Sequence, residues 1–147
     1  MVTEYGTEAA SASCGFVVPV VTYRADSRVT TFEDVCREAV WELVRRGDFE
    51  RYSAVGRWWY GEAEIDIVGL APDDDHVLFA ECKWTSERVG HGQVQDLREK
   101  AEAVHWGPEA RTEHFAVFSK SGFVDGLEAD LDEAWSLFDL TTLAEIL

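Results

Sequence analysis

The chain has 147 residues, enough for one domain that buries a real core, and a hydrophobic content of 46% with six Trp excludes a disordered polypeptide. Its net charge is −16, from 29 acidic against 13 basic residues, which is the wrong sign for holding phosphates through an overall field. No apolar run reaches the ~18 residues that span a bilayer, the N-terminus lacks a basic-then-apolar leader, and three Cys without C-x-x-C spacing read as reduced thiols; a cytoplasmic protein with no membrane partner is expected.

Residues 1–28 are weakly patterned and read as an N-terminal extension, in which Phe16-Val17-Val18-Pro19-Val20-Val21 suits an edge strand ended by Pro. One domain is expected over 29–147. Phe32, Val35, Cys36, Ala39, Val40, Leu43 and Val44 recur at helical spacing, with Thr30 or Thr31 as cap and Gly47 as stop. Tyr52–Tyr60, Ala63–Ala71 and His76–Trp84 read as strands, the last two joined by the acidic turn Pro72-Asp73-Asp74-Asp75. A helix fits His91 to His105, with Val94, Leu97, Ala101 and Val104 inward and Gly107-Pro108 beyond its end. His114–Ser119 reads as a buried strand, Val124–Ala134 as a helix, Ser136–Leu140 as a last strand and Thr142–Leu147 as a closing helix. The order α-β-β-β-α-β-(α)-β predicts an α/β fold, a mixed central sheet flanked by helices.

Chemistry concentrates in two strands. Ala63-Glu64-Ile65-Asp66-Ile67-Val68-Gly69-Leu70 and Val77-Leu78-Phe79-Ala80-Glu81-Cys82-Lys83-Trp84 place Asp66, Glu81 and Lys83 among apolar neighbours. A buried charge costs several kcal/mol or more unless it has a partner, a proton or a metal. Strand alternation sends Glu81 and Lys83 to one face and Ala80, Cys82 and Trp84 to the other. Pairing through the acidic turn brings Asp66 beside Glu81, so two carboxylates and an ammonium form a hard-cation site with a proton-handling neighbour.

The basic residues are unevenly placed. Nine of the 13 lie between Arg37 and Lys100, whereas Ser121–Leu147 holds seven acids and no Lys or Arg. Only Lys83, Lys100 and Lys120 are Lys, against ten Arg. That tally, with acids spread along the chain, resembles the proteins of salt-loving archaea; at ~1 M salt the Debye length falls to ~3 Å and global charge is screened. The half with the acidic strands is the less repulsive one for a polyanion, and Arg57, Trp58 and Arg88 are its candidates for nucleic-acid contact. Trp58 and Trp59 alternate faces, one toward the core and one toward solvent, where an indole can stack on an unpaired base. His76, His91, His105 and His114 have no metal-ligand spacing and read as surface or edge residues.

The element order, with E-I-D-I-V-G and F-A-E-C-K-W, resembles the PD-(D/E)XK nuclease superfamily, whose αβββαβ core is that of restriction endonucleases and archaeal Holliday-junction resolvases. Gly56-Arg57-Trp58-Trp59, Glu64-Ile65-Asp66-Ile67-Val68 and Glu81-Cys82-Lys83-Trp84 are similar, more closely, to an uncharacterised archaeal domain of this fold found at the C-terminus of AAA-type ATPases. The resemblance spans roughly 29–140. It implies that Asp66 and Glu81 are the metal-binding acids and Lys83 the catalytic lysine, with Mg²⁺ or Mn²⁺ as cofactor. It also suggests Glu33 on the first helix as a further metal-proximal acid and Gln93 as a catalytic residue opening the second. Glu33 has an alternative use, because Thr30-x-x-Glu33 is also a capping box, and Glu64 is either a further ligand or a solvated strand end. The implied function is metal-dependent hydrolysis of DNA, duplex, flap or branched, by metal-activated water, with a homodimer expected where two strands are cut. The alternative is a catalytically silent module that docks to or regulates an ATPase. With no G-x-x-x-x-G-K-[ST] loop in the sequence, the chain reads as a stand-alone version, a partner of a separate ATPase, or an excised domain. An RNA nuclease would use the same residues.

Overall fold

The computed structural model describes residues 14–17, as backbone, and residues 31–147. The edge strand is present as β1 (Cys14–Val17), antiparallel to β2; the rest of the expected segment, the Thr30 cap and most of the N-terminal extension lie outside the described residues.

Helix α1 (Phe32–Arg46) begins where Thr31 accepts a hydrogen bond from the Asp34 N–H and Asp34 in turn accepts one from the Thr31 N–H, both at 3.1 Å. The capping box is therefore Thr31-x-x-Asp34, one residue on from the expected Thr30-x-x-Glu33, and Glu33 is released from capping. Gly47 ends the helix at φ 84°, a left-handed conformation that costs a side-chain-bearing residue far more. Then come β2 (Ala54–Tyr60), β3 (Ala63–Ala71) and β4 (His76–Lys83), an antiparallel meander. Helix α2 (His91–Glu102) crosses over to β5 (Thr112–Ser119), parallel to β4. β6 (Trp135–Asp139), parallel to β5, and α3 (Leu140–Ile146) complete the order.

The sheet of described strands runs β1-β2-β3-β4-β5-β6, a mixed sheet. On one face α2 packs Val94, Leu97 and Ala101 against Trp58, Ile65, Val68, Val77 and Phe79. On the other, α1 and α3 pack Cys36, Ala39, Val40 and Leu143 against Ile67, Leu78, Ala80 and Phe118. The α/β reading thus holds, with helices on both faces.

Two expectations are corrected. Val124–Ala134 is no α-helix; it contains only the 3₁₀ turn Glu128–Asp130. Gly126 sits at φ 85°, and Glu128 and Asp132 would stand as like charges at i,i+4, where helices lose stability. Helix α2 stops at Glu102 rather than His105 because the Arg111 guanidinium donates to the carbonyls of Ala101, Val104 and Trp106 at 2.7–3.0 Å, closing the chain end over the helix.

His76 and His114 are also not ordinary surface residues. At the end of the sheet where β4 and β5 begin, the Tyr52 hydroxyl lies 3.3 Å from His76 Nε2 and 3.5 Å from His114 Nδ1, and His114 Nε2 lies 3.0 Å from Ser136 Oγ. Glu50 faces the other side of His76 at 3.5 Å. Thirty-eight residues separate the two histidines in sequence, so only the parallel β4–β5 register reveals them as neighbours. Burial, then the neighbouring His76, lowers the His114 pKa to about 4. The unfolded chain thus binds a proton near pH 6.5 that the fold resists, so stability falls as pH drops from about 6.5 toward 4. The difference in unfolding free energy between wild type and His114→Gln should shrink over that window by roughly 2–3 kcal/mol; denaturant melts in high KCl at stepped pH measure it, and a pH-independent difference would refute the assignment.

Candidate functional site

Glu81 is the most constrained acid in the described chain: it is only 6% exposed, on a strand flanked by Ala80 and Cys82. Two ammoniums bracket it. Lys100 Nζ donates to Oε2 at 3.0 Å from α2, and Lys83 Nζ stands 3.7 Å from Oε1. Val77 and Phe79 belong to the α2-side core and Leu78 and Ala80 to the α1-side core, so alternation carries Glu81 and Lys83 to the α2 side, where Lys100 meets them. Sequence reasoning assigned no role to Lys100. Its signal was present: it lies three residues past the buried Leu97, on the flank of α2 nearest the sheet, in a chain with only three Lys.

Asp66 reaches this acid through an irregularity. Gly56 faces Val68 but Trp58 faces Ile65, so Arg57 alone opposes Asp66 and Ile67. The extra residue resets the alternation of β3: Ile65 enters the α2-side core and Ile67, two residues on, enters the α1-side core. The β3–β4 ladder runs only to Ile67↔Ala80. Beyond it Asp66 Oδ2 accepts the Cys82 N–H at 2.9 Å, taking the place of a ladder carbonyl. Burial, and next the charge of Glu81, raise the Asp66 pKa. Glu33 is likewise raised, by burial and then by Asp66, with Arg57 opposing the shift. Arg57 hydrogen-bonds Glu33 and also donates to Glu64 at 3.2 Å. Three carboxyls from α1, β3 and β4 thus form an electrostatic chain, Glu33–Asp66–Glu81, with Arg57 at one end and Lys83 and Lys100 at the other.

The remaining candidates are placed differently. Gln93 occupies the third position of α2, where its Oε1 accepts the Gly90 N–H at 2.9 Å and caps the helix. Trp58, expected at nucleic acid, is corrected: at 2% exposure it is core, packed beneath α2, and presents no ring face to a base. Its neighbour Trp59 is the exposed member of the pair. Arg57 is engaged by Glu33 and Glu64, while Arg88 is exposed in the loop after β4, 3.6 Å from Asp125. Cys82 packs away from the acids and, through its hydrogen bond with Cys36 and then its burial, has its thiol pushed up, so a nucleophilic thiolate is disfavoured. Among the described residues, no three His, Cys, Asp or Glu side chains group so as to hold a metal ion.

The geometry defines a mixed α/β domain in which a buried glutamate, bracketed by two lysines, stands beside a half-buried aspartate at one end of the sheet. The chain belongs to the DUF234 family, described as "Archaea bacterial proteins of unknown function", whose match covers residues 19–100 and so includes Glu33, Arg57, Asp66, Glu81, Lys83 and Lys100. It is 30% identical over 112 residues to the uncharacterized protein MJECL04 of Methanocaldococcus jannaschii, a match that covers 74% of this chain and 24% of that relative. No solved structure matches. No described helix is long and apolar enough to cross a membrane.

Glu81 and Lys100 should behave as one unit. Lys100→Met should destabilise the fold by about 1–3 kcal/mol, because Lys83 alone is left to balance a buried carboxylate. In the Lys100→Met/Glu81→Gln double variant most of that loss should return, a coupling read from a double-mutant cycle of denaturant melts; additive losses would show the contact to be energetically idle.

Proposed function

We propose that this domain is a metal-dependent nuclease of the PD-(D/E)XK type, with a restriction-endonuclease-like core, that hydrolyses phosphodiester bonds in DNA. The observation that carries the reading is Asp66 coupled to buried Glu81 with Lys83 two residues on, in a run α1-β2-β3-β4-α2-β5 whose last strand is parallel to β4.

The residues present fit a hard divalent cation that keeps most of its waters, since Mg²⁺ commonly takes one or two carboxylates from a protein and needs no cluster of three. Asp66 and Glu33 are both held above their ordinary range by burial and a neighbouring carboxyl, a repulsion that a cation relieves. Asp66 and Glu81 would hold it, with Glu33 behind Asp66. When bound, Mg²⁺ or Mn²⁺ supplies Lewis-acid polarisation of a phosphoryl oxygen and acidifies a coordinated water.

The protein's own groups do the rest. The Cys82 N–H fixes the orientation of the Asp66 carboxyl, and Lys100 restrains Glu81 through its Oε2. Lys83 keeps its ammonium at the strand end, suited to orient an attacking water and to stabilise charge that develops on the phosphoryl oxygens. Arg57 faces Glu33 and two lysines face Glu81, so the site does not repel phosphate as strongly as the composition suggests. Cutting both strands of a duplex would take two copies of this single-site domain. A chain of net charge −16 that retains this site fits an archaeal protein working in concentrated salt, where screening removes the global penalty.

The same net charge favours the rival, a silent module that docks to or regulates an ATPase. The two readings part in one experiment. In molar KCl with Mn²⁺ or Mg²⁺, wild type should cut supercoiled plasmid or a four-way junction, and Glu81→Ala and Lys83→Ala should each lose at least ~100-fold in rate. Metal at about 100-fold over its dissociation constant should stabilise wild type by roughly 2.7 kcal/mol in thermal melts, and Asp66→Asn/Glu81→Gln should not respond. Cutting that survives both substitutions would overturn the assignment; no cutting and no metal response would favour the docking module.

A further inference from the structure

We infer that Trp84 and Lys120 form a subsite for an unpaired nucleotide beside the proposed cleavage centre; the inference rests on the nuclease reading and gives it a substrate class. Trp84 follows Lys83 directly and is 56% exposed, an unusual position for so large an apolar ring. It is held rather than loose. The Phe32 ring lies 4.9 Å from it at 45°, and Lys120 Nζ sits 4.8 Å from its centroid, within cation–π range. The Lys120 N–H donates to the Lys83 carbonyl at 2.9 Å, tying the ends of β4 and β5 together and fixing Lys120 next to the motif lysine. A cleft of about 470 Å³, lined by Thr31, Phe32, Val35 and Trp84, opens beside the ring, within the size range of small-molecule sites.

The charge pattern selects the occupant. All three lysines of this strongly acidic chain stand at this end of the sheet: Lys83 and Lys100 on Glu81 toward α2, and Lys120 on Trp84 toward α1. The exposed Arg88 follows in the adjoining loop. A chain that keeps so few ammoniums has placed them around an aromatic ring and an acid pair, complementary to a phosphate chain bearing flat rings. Bases inside a duplex already stack on each other and offer no free face, whereas a base in a flap, gap or single strand can lie on an indole. In the free protein Lys120 covers the ring; with a strand present, a base takes its place and the ammonium turns to the adjoining phosphate.

Binding measured without metal tests this independently of cleavage. Labelled oligo-dT and oligo-U of about 12 nucleotides, and a blunt duplex of equal length, are titrated in EDTA over a range of KCl concentrations, and anisotropy is read. Trp84→Ala should weaken single-strand binding by about 5- to 100-fold and change duplex binding by less than about twofold, with Trp84→Phe restoring most of the loss. Lys120→Gln should lower the slope of log K against log salt by about 0.7, the loss of one phosphate contact. The two oligonucleotides distinguish DNA from RNA as the strand. Should Trp84→Ala melt below the assay temperature, the Trp84→Phe affinity and the Lys120→Gln slope decide. Unchanged single-strand affinity in Trp84→Ala, or equal losses on duplex, would overturn the subsite alone if the wild type still cuts duplex. If the wild type binds neither form and cuts nothing, the subsite and the nuclease reading fall together.

Discussion

A carboxylate in the middle of a sheet is tolerated only when something nearby offsets its loss of hydration, and Glu81 is that carboxylate here. Its strand is apolar on both sides, so charge compensation must come from outside the strand's interior: Lys83 from the strand end and Lys100 from α2. Much of the local architecture can be read from this need. Helix α2 must lie where its last turn overhangs β4, and Arg111 fixes that turn by holding three of the carbonyls at and beyond its end. The break in the β2–β3 register admits Asp66 to the same neighbourhood, where repulsion between the two carboxyls is partly met by the Cys82 N–H.

The basic residues divide by type. Arginines serve the fold, as Arg111 does at the α2 terminus and Arg37 at the start of α1 beside Asp34, which suits a planar, multi-donor group. The lysines, compact charges on flexible stems, are gathered at one end of the sheet. This division separates two electrostatic tasks that composition alone merges into one number.

Much of the fold was legible in the sequence. Helical periodicity from Phe32 to Val44, the two apolar strands and the acidic turn each had strong local signals, and the structure places those elements within a few residues of expectation. What escaped depended on long-range pairing. The Tyr52–His76–His114 network arises from strands brought together by a crossover. Lys100 became visible only once α2 was laid on β4. The Val124–Ala134 segment misled because Leu127 and Leu131 mimic a helical face; Leu127 is indeed buried, but it is presented from a turn. Trp58 and Trp59 show the limit of alternation: it separates an inner from an outer ring without saying which is which, and the irregularity beside Arg57 settles the matter.

Along the sheet, the spatial sequence of the described strands repeats their sequence in the chain. Each strand finds its template in the strand made immediately before it, so no described pairing must wait for a later strand to be inserted between. During synthesis the sheet can therefore grow from one side to the other as the polypeptide leaves the ribosome. Glu81 would meet Lys83 as β4 forms, and its burial would wait, together with Lys100, for the next helix to cover that face, so the acid keeps its water until its second ammonium arrives. The domain's most demanding interior charge is thus also the one whose satisfaction is timed by chain growth.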